Sequence, residues 1–378
     1  MKKILLSSAA VAIGLAFAAP AANAQGVTLD LGGHMKGYVG YVDQDTVAGR
    51  EEREIDIFRE TEIHFTGETV LDNGLTVGFH AEADADGADS FTLDESYAYF
   101  SGSWGRVNFG EEDGAAYLLQ VAAPSADSNI DGLRQYINPV NYDVALGTTT
   151  GTFATAVGAG AGSFGFDYSN DVGRNAEKLT YLTPVMNGFQ GGVSYTPDLN
   201  NFAPSSNSLF STNEDDELGE IGSVYEIAAR YEGQFDNVGF TFGGGYTHGD
   251  LEQSSAGGFT DDFQEWNVGL DIDVSAFGLG VAYTENNNGN DVTDTNETWV
   301  VGADYTTGPF KLGASYFNNE NDALAGNDIE TDRYTGGVVY TYGPGMTFRG
   351  SVSYIDHEIA GADDIDATSV LVGTQINF

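Results

Sequence analysis

Residues able to make or break bonds are sparse in this chain. There is no cysteine, so neither a thiol nucleophile nor a disulfide frame is available. The five histidines, His34, His64, His80, His248 and His357, show no metal-ligand spacing, and no serine stands in an elbow motif. His64 and His80 fall on neighbouring segments and read as polar lining rather than as a catalytic base. The run Glu82-Ala83-Asp84-Ala85-Asp86-Gly87-Ala88-Asp89 superficially imitates a calcium loop. Position twelve counted from Glu82 is Leu93, however, and no helices flank the run. No catalytic residue, cofactor-binding residue or metal site is therefore expected. One cofactor reading stays open: weak binding of a divalent cation such as calcium by acidic segments like Asn213-Glu214-Asp215-Asp216-Glu217, bridging them to anionic lipid headgroups. A solvated acidic loop is the plain alternative.

What the sequence does carry is charge. Lys2 and Lys3 precede an apolar run over 4–19 and then Ala22-Asn23-Ala24, the pattern of a secretory signal peptide, with cleavage expected before Gln25. A retained anchor helix is the alternative, disfavoured because the run is short for a span. Removing Lys2 and Lys3 with the leader leaves 12 of the 14 basic residues against 57 acidic, a net charge of −45 rather than −43. Such a chain repels phosphates and attracts cations, which argues against nucleic acid as a partner. Disorder is excluded by 23 Phe, 20 Tyr and an apolar fraction of 41%, too many sticky residues for a solvated acidic coil.

The elements that must hold these charges are strands. Phe310, Leu312, Ala314 and Tyr316 alternate with Lys311, Gly313 and Ser315, and Tyr334, Val338, Tyr340 and Tyr342 alternate with Arg333, Thr335, Gly337 and Thr341. Period two means one greasy face and one polar face. Alternation alone does not separate a soluble sandwich from a barrel, but the connections do. Short turns such as Leu71-Asp72-Asn73-Gly74, Asp236-Asn237-Val238-Gly239 and Gly343-Pro344-Gly345 alternate with longer acidic segments. Short turns at one end and long loops at the other mark an outer-membrane barrel, its turns in the periplasm and its loops outside.

Counting between these connections predicts an all-β fold: a transmembrane antiparallel β-barrel of sixteen strands over 25–378, the first at 29–43 and the last at 367–378. Its longest connection, 113–176, follows the fifth strand and is expected to fold into the lumen as the third external loop. Within it, 151–168 reads as a possible extra hairpin. In the wall that hairpin would raise the count to eighteen strands; within the loop it would leave sixteen. The last strand ends in Gly373, Ile376 and Phe378, and looks like the signal read by the barrel-assembly machinery.

Three stretches resemble the Gram-negative general porins, and more closely their alphaproteobacterial branch. They are Thr66-Gly67-Glu68-Thr69 running into Asp72-Asn73-Gly74-Leu75; Ser96-Tyr97-Ala98-Tyr99-Phe100 before Trp104-Gly105-Arg106-Val107-Asn108-Phe109-Gly110; and Lys178-Leu179-Thr180-Tyr181-Leu182-Thr183-Pro184 before Gly188-Phe189-Gln190-Gly191-Gly192-Val193-Ser194-Tyr195-Thr196-Pro197. The resemblance implies a homotrimer in the outer membrane, contacting lipid and lipopolysaccharide, delivered by periplasmic chaperones. Each barrel would pass small polar solutes and ions through a pore narrowed by the inward loop. A substrate-selective channel and a structural or adhesive barrel are the alternatives.

In such a pore the working residues set radius and potential. Parity sends Lys36, Arg230, Lys311, Arg333 and Arg349 to the polar face, and the long loop and its entering strand supply Glu111, Glu112, Asp113, Asp127 and Asp131. A basic wall facing an acidic loop is the arrangement the resemblance implies. Parity also turns Glu60, Glu62, His64, Glu82, Glu232, Asp271 and Asp273 inward, while Arg59 falls on the greasy face. The inward acids predict a cation preference.

Overall fold

Alternating side chains give a sheet one greasy and one wet face, and in the computed structural model of the chain that sheet closes on itself. The structure describes residues 26–85, 91–127, 136–146, 165–199, 216–255, 258–290, 295–322, 328–361 and 363–378. The first five strands are β1 (Thr28–Gln44), β2 (Ile55–Val70), β3 (Thr76–Asp84), β4 (Thr92–Gly102) and β5 (Gly105–Glu111). After two short helices, α1 (Ala115–Leu118) and α2 (Tyr142–Leu146), come β6 (Glu177–Leu182), β7 (Phe189–Thr196), β8 (Ile221–Phe235), β9 (Val238–Leu251) and β10 (Phe263–Val274). The wall is completed by β11 (Phe277–Asn286), β12 (Asn296–Thr307), β13 (Phe310–Asn321), β14 (Ile329–Gly343), β15 (Met346–Ile359) and β16 (Ile365–Asn377). Every strand pairs antiparallel with its sequence neighbours, and β16 returns to β1, giving a closed barrel of sixteen strands among the described residues. The expected strands agree with these to within a few residues. Residues 1–25 and 147–164, and with them the leader and most of the possible extra hairpin, lie outside the described residues.

Closure is sealed at the chain's end. Backbone bonds of 3.1 Å run both ways between Gly33 and Phe378, and Gly373 sits opposite Tyr38. A Cβ on Gly373 would overlap the Tyr38 ring and the Gly37 carbonyl, so glycine is what lets the tyrosine lie flat on the seam. Ile376 and Phe378 stand exposed on the outer face. The short turns take the positive φ their residues permit, at Gly74, Asp236, Gly308 and Gly345.

The outer wall is banded. Trp266, Tyr283 and Trp299 stand 4.9 and 4.3 Å apart, ring to ring, and Tyr316, Tyr334 and Tyr354 continue the row at 4.9 and 6.5 Å. A second row includes Phe277–Tyr305 at 4.6 Å and Phe310–Tyr340 at 4.9 Å near the short turns. Two aromatic belts bounding an apolar band are what a bilayer's two interfaces demand.

Inside, a core lies where an open tube would have none. Tyr136, Val140, Ala145, Phe166 and Tyr168 of the long loop pack with inward-facing Ala282, Val300, Phe317, Ile329, Ile355, Ile359, Ile365 and Ala367 of the wall. Each large side chain removed from water here contributes about 1.5–3 kcal/mol, so the loop is docked by burial rather than by hydrogen bonds alone.

Candidate functional site

The described parts of the long loop, 113–127, 136–146 and 165–176, line the inner wall in two tiers. Outbound, 115–127 passes over a row of inward glycines, Gly192 on β7, Gly243 and Gly245 on β9, Gly269 on β10, Gly280 on β11, Gly302 on β12, Gly313 on β13 and Gly337 on β14. A Cβ at each would overlap or press on a loop atom between Ala115 and Ala126. The wall is thinned there to admit a second layer of backbone. Nothing in the residue types flags these glycines, because a polar-face glycine looks like ordinary alternation.

The tier ends at Asp127, in the left-handed region at φ 56°. Its carboxylate accepts from the Tyr38 hydroxyl at 2.5 Å and from Arg349 Nη1 at 3.2 Å. Burial raises the Asp127 carboxyl, and Tyr38 and Arg349 pull it back. The returning tier contacts the wall higher up. Arg333 donates to the Ile137 carbonyl at 2.7 Å and lies 5.0 Å from the Tyr136 ring centre and 4.6 Å from that of Phe166. Gln44 and Asn141 exchange two bonds of 2.8 and 2.9 Å. Further back, Asn170 accepts from Thr247 at 2.6 Å.

At the loop's root, Lys178 donates to the carbonyls of Glu112 and Arg174. Glu226 accepts from the Ala116 amide at 3.1 Å. Burial pushes the Glu112 carboxyl up to about 8; Arg106 and Lys178 draw it down and Asp113 pushes it further. Asp171 is raised well above its usual range, first by burial and then by Asp113.

The expected basic face exists, but not as a row opposing loop acids. Lys36, Arg230, Lys311, Arg333 and Arg349 all project inward. Lys311 pairs with Asp304 of the wall at 2.9 Å and Arg230 with Glu232 at 2.7 Å. Lys36 lies 3.7 Å from Glu60, and Arg333 is 1% exposed beneath the loop. Arg349 forms an ion pair with one of the expected loop acids, Asp127, and Lys36 draws on the same carboxylate at longer range. Glu111 departs from its expected place: the closing register of β5 puts it at the outward parity opposite Ser96 and Glu177. Glu112 and Asp113 depart likewise, gathered at the loop's root among Arg106, Lys178 and other acids, because the chain turns inward there before the tier begins. Asp131 lies outside the described residues, as do Asn213, Glu214 and Asp215.

The arc of wall formed by β1 to β3 carries a different set. Glu60, Glu62, His64 and Glu82 face inward with side chains 19–21% exposed, against 0% for His357 and 1% for Phe317 under the loop. His34, which parity reasoning passed over, joins them through Glu60 at 2.6 Å. Arg59 sits on the outer face, as its parity requires, opposite Gly37.

The fold of this wall with its docked inner loop is shared by solved structures. The chain is similar over 93% of its length to the whole of the anion-selective porin from Comamonas acidovorans, at 18% identity and a TM-score of 0.61. It is similar over 93% of its length to the whole of a mutant Rh. blastica porin, at 19% identity and a TM-score of 0.55. Among sequences, an uncharacterized protein of Rickettsia bellii is 29% identical over 120 residues, 31% of this chain and 28% of that protein. Another from Rickettsia felis is 23% identical over 231 residues, 53% of this chain and 49% of that protein. The chain thus matches from about a quarter to about half the length of these relatives. The family model described as Gram-negative porin matches residues 8–360, and the chain belongs to that family.

Proposed function

We propose that the chain forms an outer-membrane channel for passive diffusion of small hydrophilic solutes and ions, with a preference for cations, and that it performs no bond chemistry. The β1–β3 arc carries this reading. Its three glutamates Glu60, Glu62 and Glu82 are partly exposed, with side chains 19–21% open, and Lys36 beside Glu60 is 3% exposed. Elsewhere on the wall Arg230, Lys311 and Arg349 are each offset by a carboxylate, of Glu232, Asp304 and Asp127, and Arg333 lies under the loop. Carboxylates at a constriction raise the local cation concentration and repel anions, an effect that fades as salt screens it. The shared fold does not set the sign of selectivity, since an anion-selective porin has it too.

Reversal potentials across planar bilayers in a potassium chloride gradient test the reading. The expected sign is that of cation flow, weaker at high salt, with Glu62→Gln and Glu82→Gln each shifting the potential toward zero. A potential of the anion sign overturns the charge reading. Barrels that insert without any conductance overturn the channel itself and leave a structural role. We further infer insertion by the barrel-assembly machinery, since the strand that carries Gly373, Ile376 and Phe378 is the one that pairs with β1 and closes the wall, and a homotrimer, as the resemblance to general porins implies.

A further inference from the structure

Three histidines and three glutamates from three adjacent strands meet on the solvated arc. Register puts His34 opposite Glu62, Lys36 opposite Glu60, His64 opposite Glu82 and Thr66 opposite His80. The His34, His64 and His80 rings follow one another at 6.1 and 5.7 Å. The possible ligand atoms of His64, His80 and Glu82 lie within 4.8 Å of one another, and so do those of His34, Glu62 and His64.

We propose that His64 Nδ1, His80 Nε2 and Glu82 Oε1 bind a divalent transition-metal ion of the zinc, copper and nickel class on the wall of the lumen. Glu82 Oε1 is 2.7 Å from His80 Nε2 and 3.6 Å from His64 Nδ1, so small side-chain rotations open the triangle to the size an ion with bonds of about 2.0–2.2 Å needs. The ring nitrogens left over are already engaged. His80 Nδ1 is 2.8 Å from the Thr66 hydroxyl, and His64 Nε2 is 3.1 Å from Glu62 Oε2. A proton on each of those outer nitrogens, donated to Thr66 and Glu62, leaves the inner nitrogens with their lone pairs aimed at Glu82. A carboxylate or hydroxyl behind each imidazole is the support that fixes tautomer and ring orientation in metal sites. Two imidazoles and one carboxylate suit zinc, copper or nickel and not calcium or magnesium, which take oxygen ligands in larger number. Three protein ligands leave a coordination position open to lumen water, so the ion can exchange. Because a neutral His64 offers one lone pair, the His34–Glu62–His64 triangle is an alternative seat for the same ion, not a second simultaneous site.

The inference requires solvent on this arc and does not require conduction, so the two readings fail separately. Metal-stripped protein, folded in detergent, is titrated with zinc chloride by calorimetry and with cobalt(II) by visible absorption. Expected are one ion per chain, four-coordinate cobalt bands, loss of binding in His64→Gln, which takes a ligand from both triangles, weaker binding in His80→Gln, which leaves the ion the His34–Glu62–His64 seat, and up to about 10–100-fold weaker binding in Thr66→Val, which keeps all three ligands. Calcium in place of zinc is expected to give no such stoichiometric binding. X-ray absorption of the zinc-loaded wild-type protein gives an answer independent of any variant's folding. Two imidazoles in the zinc shell support the site, and an oxygen-only shell, or undiminished binding in folded His64→Gln, overturns it.

Discussion

Two side chains decide how the loop stays down. Asp127 is an acid with a side chain 1% exposed, and its counter-charge is Arg349 on β15. Removing one partner of a buried pair strands the other, at a cost of about 3–5 kcal/mol. Arg349→Gln is therefore expected to loosen the end of the lower tier, seen as faster protease cleavage within 113–176 and larger, noisier conductance. Asp127→Asn breaks the same pair but leaves behind the more exposed partner and still accepts from Tyr38, so it is expected to do less; a loop that stays equally resistant in Arg349→Gln would mean the ion pair is not the latch. Glu112 makes the root sensitive to pH. Its folded site holds the carboxyl at about 8 against an ordinary 4.5, so the site prefers the protonated acid. Its contribution to loop docking is then fully present below 4.5 and lost as pH rises through about 8. Protease resistance of the loop is expected to fall on that rise in the wild-type protein and to stay flat in Glu112→Gln. A matching fall in the variant would assign the effect to another group, such as Asp171. Little of this was legible in the sequence. Parity turned Arg349 and Lys36 inward, because alternation is local. It also set His64 and His80 side by side as polar lining, but it had no means of adding His34 or of seeing a ligand geometry, which exists only across the registers of β1 with β2 and β2 with β3.

Among the elements, strands and loop were unequally readable for one physical reason. A strand declares itself by its own alternation and by the turn residues beside it, which is why 29–43 and 367–378 fall so close to Thr28–Gln44 and Ile365–Asn377. The path of 115–127 is written instead in the glycines of seven other strands, each of which looks locally unremarkable. Gly302 makes the dependence testable. Its added Cβ would overlap the Pro124 carbonyl, whereas Gly336, on the outer face of β14, has open space at that position. Forcing side-chain atoms into such a contact costs about 1–3 kcal/mol, and the loop can escape it only by lifting from the wall. Gly302→Val is expected to raise conductance and expose the loop to protease, with Gly336→Val as the control that changes strand propensity without touching the loop. Identical behaviour of the two variants would mean that the glycine row reflects wall curvature rather than loop seating.

At the scale of the whole molecule the barrel has two unlike sides. The row of paired aromatic rings near the long-loop end, from Trp266 to Tyr354, covers β10 to β15, and Tyr195–Tyr225 at 5.1 Å extends its kind to β7 and β8. The outward positions of β2 to β4 are of another character: Phe79 stands between Gly67 and Ala98 in the register, Phe65 faces Ala81, and Arg59 points out where lipid tails would meet its charge. A ring flanked by small residues offers a socket to a second protein surface, and an outward arginine is tolerable against a protein neighbour as it is not against hydrocarbon. This is where the trimer contact is expected. Placing an arginine on each side separates the two environments. At Val301, an outward residue of β12 that is 42% exposed, the new charge meets lipid; the penalty is about 2–4 kcal/mol near the bilayer midplane. Val301→Arg should lower folding yield into bilayers while the protein that does fold remains trimeric. At Ala98 the same charge fills the socket beside Phe79, so Ala98→Arg should yield folded, heat-modifiable monomers that still conduct, in single steps instead of groups of three. If Ala98→Arg stays trimeric on unheated gels and Val301→Arg dissociates, the subunits meet through the aromatic side and the lipid lies against β2 to β4.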